Sequence, residues 1–214
     1  MKRAQALILV LWFLAVALGM VLDRWHESQF LPPESERTSD DILIDVFGEF
    51  KTVVARYLWF RMDLFHEVLD DQGVPPQEQD EVLPLLRMVT LLDPSMVDSY
   101  DQIVWDLYKG HGDLETAREV LAEGIQRNPK DYQLNFRKAL LHHLEGEHLE
   151  AIESASSTLP LTQDEFKLAD CLRIIYWSSK SINRLDLQRK AAADLLRLRP
   201  NDRLWLRENA KLNQ

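Results

Sequence analysis

Hydrophobic positions follow two patterns: one unbroken apolar run near the N-terminus, and helical spacing from residue 41 onward. The run covers residues 6–22 and follows Lys2 and Arg3. It reaches the short end of the roughly 17–25 apolar residues that a helix needs to cross a bilayer. Basic residues on the short flanking side place that end in the cytoplasm. The pattern predicts a transmembrane anchor over residues 1–25, single-pass in a cell inner membrane, with the rest of the chain periplasmic or otherwise extracytoplasmic.

A cleaved signal peptide is the alternative for this segment. Ala17 and Gly19 satisfy the small-x-small rule for cleavage, but the apolar run continues through Leu22, which favours the uncleaved anchor. Ala15 and Gly19 also form a small-xxx-small pair, so they are candidates for packing against another transmembrane helix. The same spacing arises by chance in Ala-rich anchors.

Residues 26–40 are predicted to be a linker. They are polar and contain Pro32-Pro33, which favours extended backbone. From residue 41 to the C-terminus the spacing of apolar residues is helical throughout, and no alternating strand pattern is found.

Two short segments of this helical part repeat. Residues 112–117 (Gly-Asp-Leu-Glu-Thr-Ala) and 146–151 (Gly-Glu-His-Leu-Glu-Ala) share the pattern Gly-acid-x-x-x-Ala, with a separation of 34 residues. Gly suits a tight turn between helices, Ala suits a close helix crossing, and Pro ends a helix. Prolines that follow apolar helical segments occur at Pro94, Pro129 and Pro200.

A helix, a Gly-acid turn, a second helix and a proline, repeated every 34 residues, resembles the tetratricopeptide (TPR) pattern. The closest unit is 96–129, whereas the next has Asn135 and Lys138 where large apolar residues are usual, and an early Pro160. The resemblance implies an all-α domain over residues 41–214, a short right-handed solenoid with a concave inner face. Its expected hairpins are about 41–94, 96–129, 131–160 and 163–200, the first and last with overlong connections, followed by a capping helix over 202–212.

Arrays of this family commonly bind a segment of another protein. The resemblance therefore implies a membrane-anchored adaptor or scaffold in a membrane or envelope complex, acting as an assembly factor or accessory subunit. A periplasmic chaperone of the secretion or cytochrome-maturation machinery, a permanent structural subunit, and a cytosol-facing organelle receptor have the same architecture and stay open.

Composition and motifs argue against several classes of function. A net charge of −10 and an isoelectric point near 5.1 disfavour nucleic-acid binding, which needs a basic surface. The chain has no nucleophile elbow, phosphate loop, dinucleotide fingerprint or paired-histidine zinc motif. His142, His143 and His148 are close in sequence, but neighbouring helical positions point about 100° apart. Cys171 lies in an apolar helix and is predicted to be buried. We therefore expect no catalytic residue, metal, cofactor or small-molecule substrate.

Charge is divided along the chain. Residues 25–179 carry 30 acidic and 13 basic side chains, and residues 180–214 carry 4 acidic and 9 basic ones. The acidic body repels anionic lipid and nucleic acid. The basic C-terminal part could dock on an acidic surface.

Four residues are candidates for contact with a protein partner. On a helical wheel for residues 47–65 and beyond, Phe50, Tyr57, Leu64 and similar residues form one apolar face, which is expected to pack inward. Trp59 falls on the opposite, polar face and is either a partner contact or covered by a loop. Arg61 projects from the apolar face and is expected to pair with an acid on a neighbouring helix.

Trp105 and Tyr108 are the other two candidates. If the face of Tyr100, Ile103 and Leu107 packs within its hairpin, both aromatics turn toward the concave side. There they would either clamp a bound segment or pack against the next repeat.

Overall fold

The computed structural model describes residues 48–71, residue 73 and residues 82–212, all within one compact unit that spans residues 47–214. The described residues form α-helices joined by short turns. The helices are α1 Lys51–Asp71, α2 Val82–Leu92, α3 Val97–Trp105, α4 Leu114–Arg127, α5 Tyr132–Leu144, α6 His148–Thr158, α7 Glu165–Ser181, α8 Leu185–Leu198 and α9 Arg203–Leu212. Short 3₁₀ turns, Gly48–Phe50 and Leu159–Leu161, precede α1 and follow α6.

The helices pack as TPR-like hairpins. The pairs α1 and α2, α3 and α4, α5 and α6, and α7 and α8 lie against each other, and α9 packs on α8. The first helices of successive hairpins also contact one another, α3 with α5 and α5 with α7. These first helices therefore form one layer of the array.

Glycines in the turns and aspartates at the helix starts occur where the 34-residue repeat predicts helix ends. Gly112 and Gly146 stand between the two helices of their hairpins with φ of 69° and 78°, a conformation that favours glycine. The side chains of Asp113 and Asp131 accept hydrogen bonds from the backbone N–H groups of Thr116 and Leu134 at the starts of α4 and α5. These caps satisfy donors that a helix start leaves unpaired.

The last hairpin differs from the expectation of an overlong connection. Its extra residues extend α7, which has 17 residues, and the turn to α8 takes only residues 182–184. Asn183 occupies the turn with φ of 57°, because asparagine tolerates the left-handed conformation better than most residues.

Small residues lie at the helix crossings. Ala117, Ala151 and Ala155 are fully buried, and Gly124 lies directly against Tyr100. The absence of a longer side chain lets the paired helices approach closely. The core of the described part of the chain falls into three clusters, from a mainly aliphatic one near α2 to one rich in aromatic rings between α7 and α9.

The C-terminal helix closes the core. Trp205 is 1% exposed and packs edge-on against Tyr176 of α7, with ring centroids 4.9 Å apart. Arg203, Arg207 and Lys211 stand four residues apart on the exposed side of the helix.

The inward face of α1 is not the one that the helical wheel predicts. Ala55 and Met62 are buried, whereas the six large apolar residues of the opposite face are 45–71% exposed. The exposed residues are Phe50, Val53, Tyr57, Phe60, Leu64 and Val68. A wheel ranks faces by apolarity alone, but close packing against α2 selects the face that carries the small Ala55.

Candidate partner-binding surface

A cluster of aromatic and charged side chains joins α3 to α5. Asp101 is nearly buried on α3, and Arg137 of α5 donates to both of its carboxylate oxygens at 2.5 and 2.6 Å. Gln133, one turn before Arg137, donates to the same carboxylate at 3.1 Å. Two parallel N–H···O contacts fix the plane of the guanidinium.

This fixed guanidinium lies over Trp105. The Arg137 Cζ atom is 4.6 Å from the centroid of the indole ring, within the range of a cation–π contact. Trp105 is itself half-buried, so one part of the ring faces α5 while another stays accessible. Asp101 thus positions Arg137, and Arg137 positions Trp105.

Tyr108 is fixed in a similar way. Its hydroxyl donates to Glu145, at the end of α5, with an O···O distance of 2.7 Å. That hydrogen bond raises the pKa of the Tyr108 hydroxyl above its usual value. Lys109 Nζ lies 4.6 Å from the centroid of the Tyr108 ring and 5.7 Å from that of Trp105. Two cations, Arg137 and Lys109, therefore lie against the two aromatic rings.

The backbone at this cluster is irregular. After Trp105, α3 continues as a π-helical turn over Asp106–His111, and the backbone N–H of Asp113 donates to the carbonyl of Leu107 at 2.9 Å. Short π-helical segments inside helices are frequent at functional sites. The turn carries Tyr108 and Lys109.

Of the two arrangements that the sequence leaves open for Trp105 and Tyr108, contact with the next hairpin is the one observed. Arg137 and Glu145, which hold the two rings, both belong to that hairpin. Both rings nevertheless remain half-buried rather than enclosed. Sequence reasoning missed the contribution of Asp101, Gln133 and Arg137, since nothing in a helical pattern shows which side chains meet across 32–36 residues.

Trp59 does not lie on a free polar face. It is half-buried and packs against a core cluster that includes Met62, Leu86 and Ile103. The placement of Trp59 opposite the packed face is therefore wrong, because the inward face of α1 is the one that carries Ala55 and Met62. Trp59 supports the α1–α2 hairpin.

Arg61 is exposed on the outside of α1. No ion pair with it occurs among the residues that the structure describes. The acidic partner was expected because a buried guanidinium would need one, and solvent makes it unnecessary. Arg61 belongs to α1, whereas the Trp105 cluster lies on α3 and α5.

The cysteine and the clustered histidines of the sequence are each held by neighbouring residues of the fold. Cys171 is buried, as predicted, and burial raises the pKa of its thiol to about 11. His142 Nδ1 lies 2.6 Å from Glu147, and His143 Nδ1 lies 2.8 Å from the Ser178 hydroxyl. Burial lowers the pKa of His143, and His148 adds to the effect. Each of these residues is thus in contact with a neighbouring side chain or with the core.

The predicted anchor over residues 1–25, its packing pair Ala15 and Gly19, and the linker over residues 26–40 lie outside the described residues. Among the helices of the described ranges, none combines the length and the apolarity needed to span a bilayer.

Comparison with known proteins shows a similarity at the level of structure. No protein-family model matches the chain, and no curated protein matches it. Solved structures that are similar include a thermophilic TPR protein of Thermus thermophilus. The match covers 76% of this chain and 97% of that chain, at 20% sequence identity and a TM-score of 0.48.

Proposed function

We propose that the protein is a non-catalytic scaffold that binds another protein through the surface of α3 and α5. The observation that carries this proposal is the fixed arrangement of Trp105 and Tyr108 by Arg137 and Glu145. Aromatic side chains supply large contact area at low entropic cost, and they dominate the energetics of many interfaces. Here the rotamers are held before binding, so less conformational freedom is lost when a partner docks.

The charges of this surface suit a protein partner. The charge of Arg137 is neutralised by Asp101. Lys109, at the edge of the cluster, is exposed to solvent. The surface therefore combines two aromatic rings with one available cation, rather than a stripe of positive charge. Nucleic acid requires such a stripe, and we propose that it is not a ligand.

We further propose that residues 1–25 anchor the scaffold in the membrane, with the helical domain on the extracytoplasmic side. The apolar run over residues 6–22 and the flanking Lys2 and Arg3 support this topology. In that position the scaffold serves a membrane or envelope complex. Carbonate extraction and protease accessibility of intact cells and spheroplasts test the anchor and the side.

The binding surface is tested by comparing variants in one pull-down. The full chain is tagged, extracted in mild detergent and purified, and the co-purifying proteins are quantified by mass spectrometry. Trp105→Ala and Lys109→Glu are compared with Lys190→Glu, which changes the same charge at an exposed position of α8. We expect both surface variants to lose a protein that the wild type and Lys190→Glu retain in stoichiometric amount.

Melting temperature separates binding from folding in this experiment. Lys109 is exposed, so its substitution leaves the fold intact even if the substitution of half-buried Trp105 weakens it. Equal recovery of every partner by the wild type and Lys109→Glu, together with loss only in an unfolded Trp105→Ala, would refute the proposed surface.

A further inference from the structure

One departure from the repeat lies at Lys138. Val104, Lys138 and Ile175 each lie eight residues before the positive-φ residue of the turn in their hairpin, which is Gly112, Gly146 or Asn183. Val104 is fully buried and Ile175 is 7% exposed, whereas Lys138 is exposed. Two hairpins thus fill this place with an apolar side chain, and the hairpin between them does not.

A cavity opens at this position. It has a volume of about 350 Å³ and lies between α4 and α5. Its apolar wall consists of the half-buried Ile125 and the buried Leu121 and Leu141. The cavity is open to solvent, and a concave apolar wall with a few polar groups beside it is the usual form of a ligand pocket.

Basic side chains lie beside this wall. Arg118, Lys138 and His142 all border the cavity. Glu147 bonds to two of them, at 2.6 Å from Arg118 and 2.6 Å from His142 Nδ1. Those two contacts hold the pKa of the Glu147 carboxyl below its usual value.

Lys138 has no such partner. Within the described ranges it makes no ion pair, and its side chain is exposed. A carboxylate beside it would form a charge-assisted hydrogen bond. An apolar wall beside an accessible cation suits a ligand that carries an apolar group next to a carboxylate.

We propose that this cavity binds a short acidic segment of a partner protein, with one leucine-sized side chain against Leu121, Ile125 and Leu141 and a neighbouring carboxylate on Lys138. The volume lies near the lower end of the roughly 300–1,000 Å³ of ligand pockets, which suits one or two side chains. The body of the chain is strongly acidic over residues 25–179, so an anionic membrane surface is repelled as a whole. A segment with a single carboxylate avoids most of that repulsion.

This inference rests on the proposed scaffold function but can fail without it, because its test measures the cavity directly. The full chain is reconstituted in nanodiscs, so that no detergent competes for the cavity. The probe is a fluorescein-labelled peptide with one aspartate-leucine step in a glycine–serine background, and binding is followed by fluorescence anisotropy. Matched peptides replace the leucine by serine or the aspartate by asparagine.

Two variants address the cavity and one is a control. Lys138→Leu places an apolar side chain where α3 and α7 have one, and should fill the space and remove the charge together. Lys138→Gln removes the charge but keeps the space. Lys190→Leu makes the same chemical change as the first variant at an exposed position of α8.

We expect the aspartate-leucine peptide to bind the wild type and Lys190→Leu equally. We expect its affinity to fall by about tenfold or more in Lys138→Leu, and by a comparable factor when its leucine becomes serine. Lys138→Gln and the asparagine peptide should each weaken binding. Lys138→Leu should also raise the melting temperature, which shows that its loss of binding is not a loss of folding.

Three results would overturn the inference: no binding of the peptide at millimolar concentration, binding that Lys138→Leu leaves unchanged, or binding of decanoate at the cavity without binding of the peptide. The last result would identify an anionic amphiphile as the occupant. None of the three bears on the pull-down with Trp105→Ala and Lys109→Glu, so the scaffold function stands or falls separately.

Discussion

The ring of Tyr100 lies against the Cα of Gly124, so closely that a Cβ at Gly124 would be 3.0 Å from two of its ring atoms. The contact joins α3 to α4 at their crossing. Tyr100 is itself fully buried, and burial raises the pKa of its hydroxyl to about 12. Its ring therefore has little room to move away.

Gly124→Ala should destabilise the protein. In an open helix the change from glycine to alanine stabilises by about 1 kcal/mol. At Gly124 the added methyl group meets Tyr100, and overpacking of this kind costs about 1–3 kcal/mol. Chemical denaturation measures whether the free energy of unfolding rises or falls. Gly124→Ala should cost less in a Tyr100→Leu background than in the wild type, because the ring that the methyl group meets is then absent. A Gly124→Ala protein more stable than the wild type would contradict a close crossing of α3 and α4 at this point.

Ala117→Leu and Ala151→Leu should each destabilise the array by about 1–3 kcal/mol, because both alanines are fully buried where helices cross. Ala210→Leu, at an exposed position of α9, is the control. Thermal melting of the three variants is sufficient. Unchanged melting of both buried-site variants would show that the repeat register is wrong.

Trp59→Ala should lower stability, since the indole packs against the cluster of Met62, Leu86 and Ile103. For a half-buried tryptophan we expect a loss of about 1.5–3 kcal/mol. Phe60→Ala is a matched control one residue along α1, because Phe60 is 59% exposed. Equal effects of the two substitutions, measured by denaturant unfolding, would argue that the α1 face is assigned incorrectly.

The free energy of unfolding should decrease at acid pH, because Glu208 becomes protonated. Lys211 Nζ donates to this buried carboxylate at 2.6 Å and Tyr176 at 2.9 Å, and together they lower its pKa from 4.5 to about 2, with Lys211 the larger cause. A lowered pKa in the folded state means that the carboxylate stabilises the fold above pH 4.5, and that this stabilisation is lost as the pH falls from 4.5 to about 2.

The comparison with Glu208→Gln isolates that effect. The wild type should melt at a higher temperature than Glu208→Gln at pH 7, and the difference should shrink as the pH falls toward 2, because Glu208 becomes progressively protonated there. Glu153→Gln, at an exposed position of α6, controls for loss of a charge. A difference in melting temperature that stays constant from pH 7 to pH 2 would contradict the depressed pKa.

The fold class could be predicted from the sequence because its signals are local. The glycine turns at Gly112 and Gly146 and the alanines five residues after them fix helix ends and crossings within a few residues of chain. The all-α, TPR-like arrangement of hairpins is confirmed. The buried state of Cys171, predicted from the apolar helix around it, is confirmed as well.

The inward face of α1 and the surroundings of Trp105 could not be predicted in the same way. On α1 the more apolar face is the exposed one, and only the position of α2 decides between Ala55 and Tyr57. The contact of Arg137 with Trp105 depends on the register between α3 and α5. For Lys138, the departure from the repeat is visible in the sequence, but the cavity beside it depends on how far α4 and α5 stand apart.

The packing of Trp205 protects the aromatic end of the core. The end face of an array of hairpins is apolar, and another hairpin or a second molecule could stack on it. Here α9 lies on α8, and Trp205 packs against Tyr176 and Trp177 of α7. The ring of Tyr176 is fully buried as a result. It is therefore part of the molecule's own interior and not a surface on which a second copy could stack.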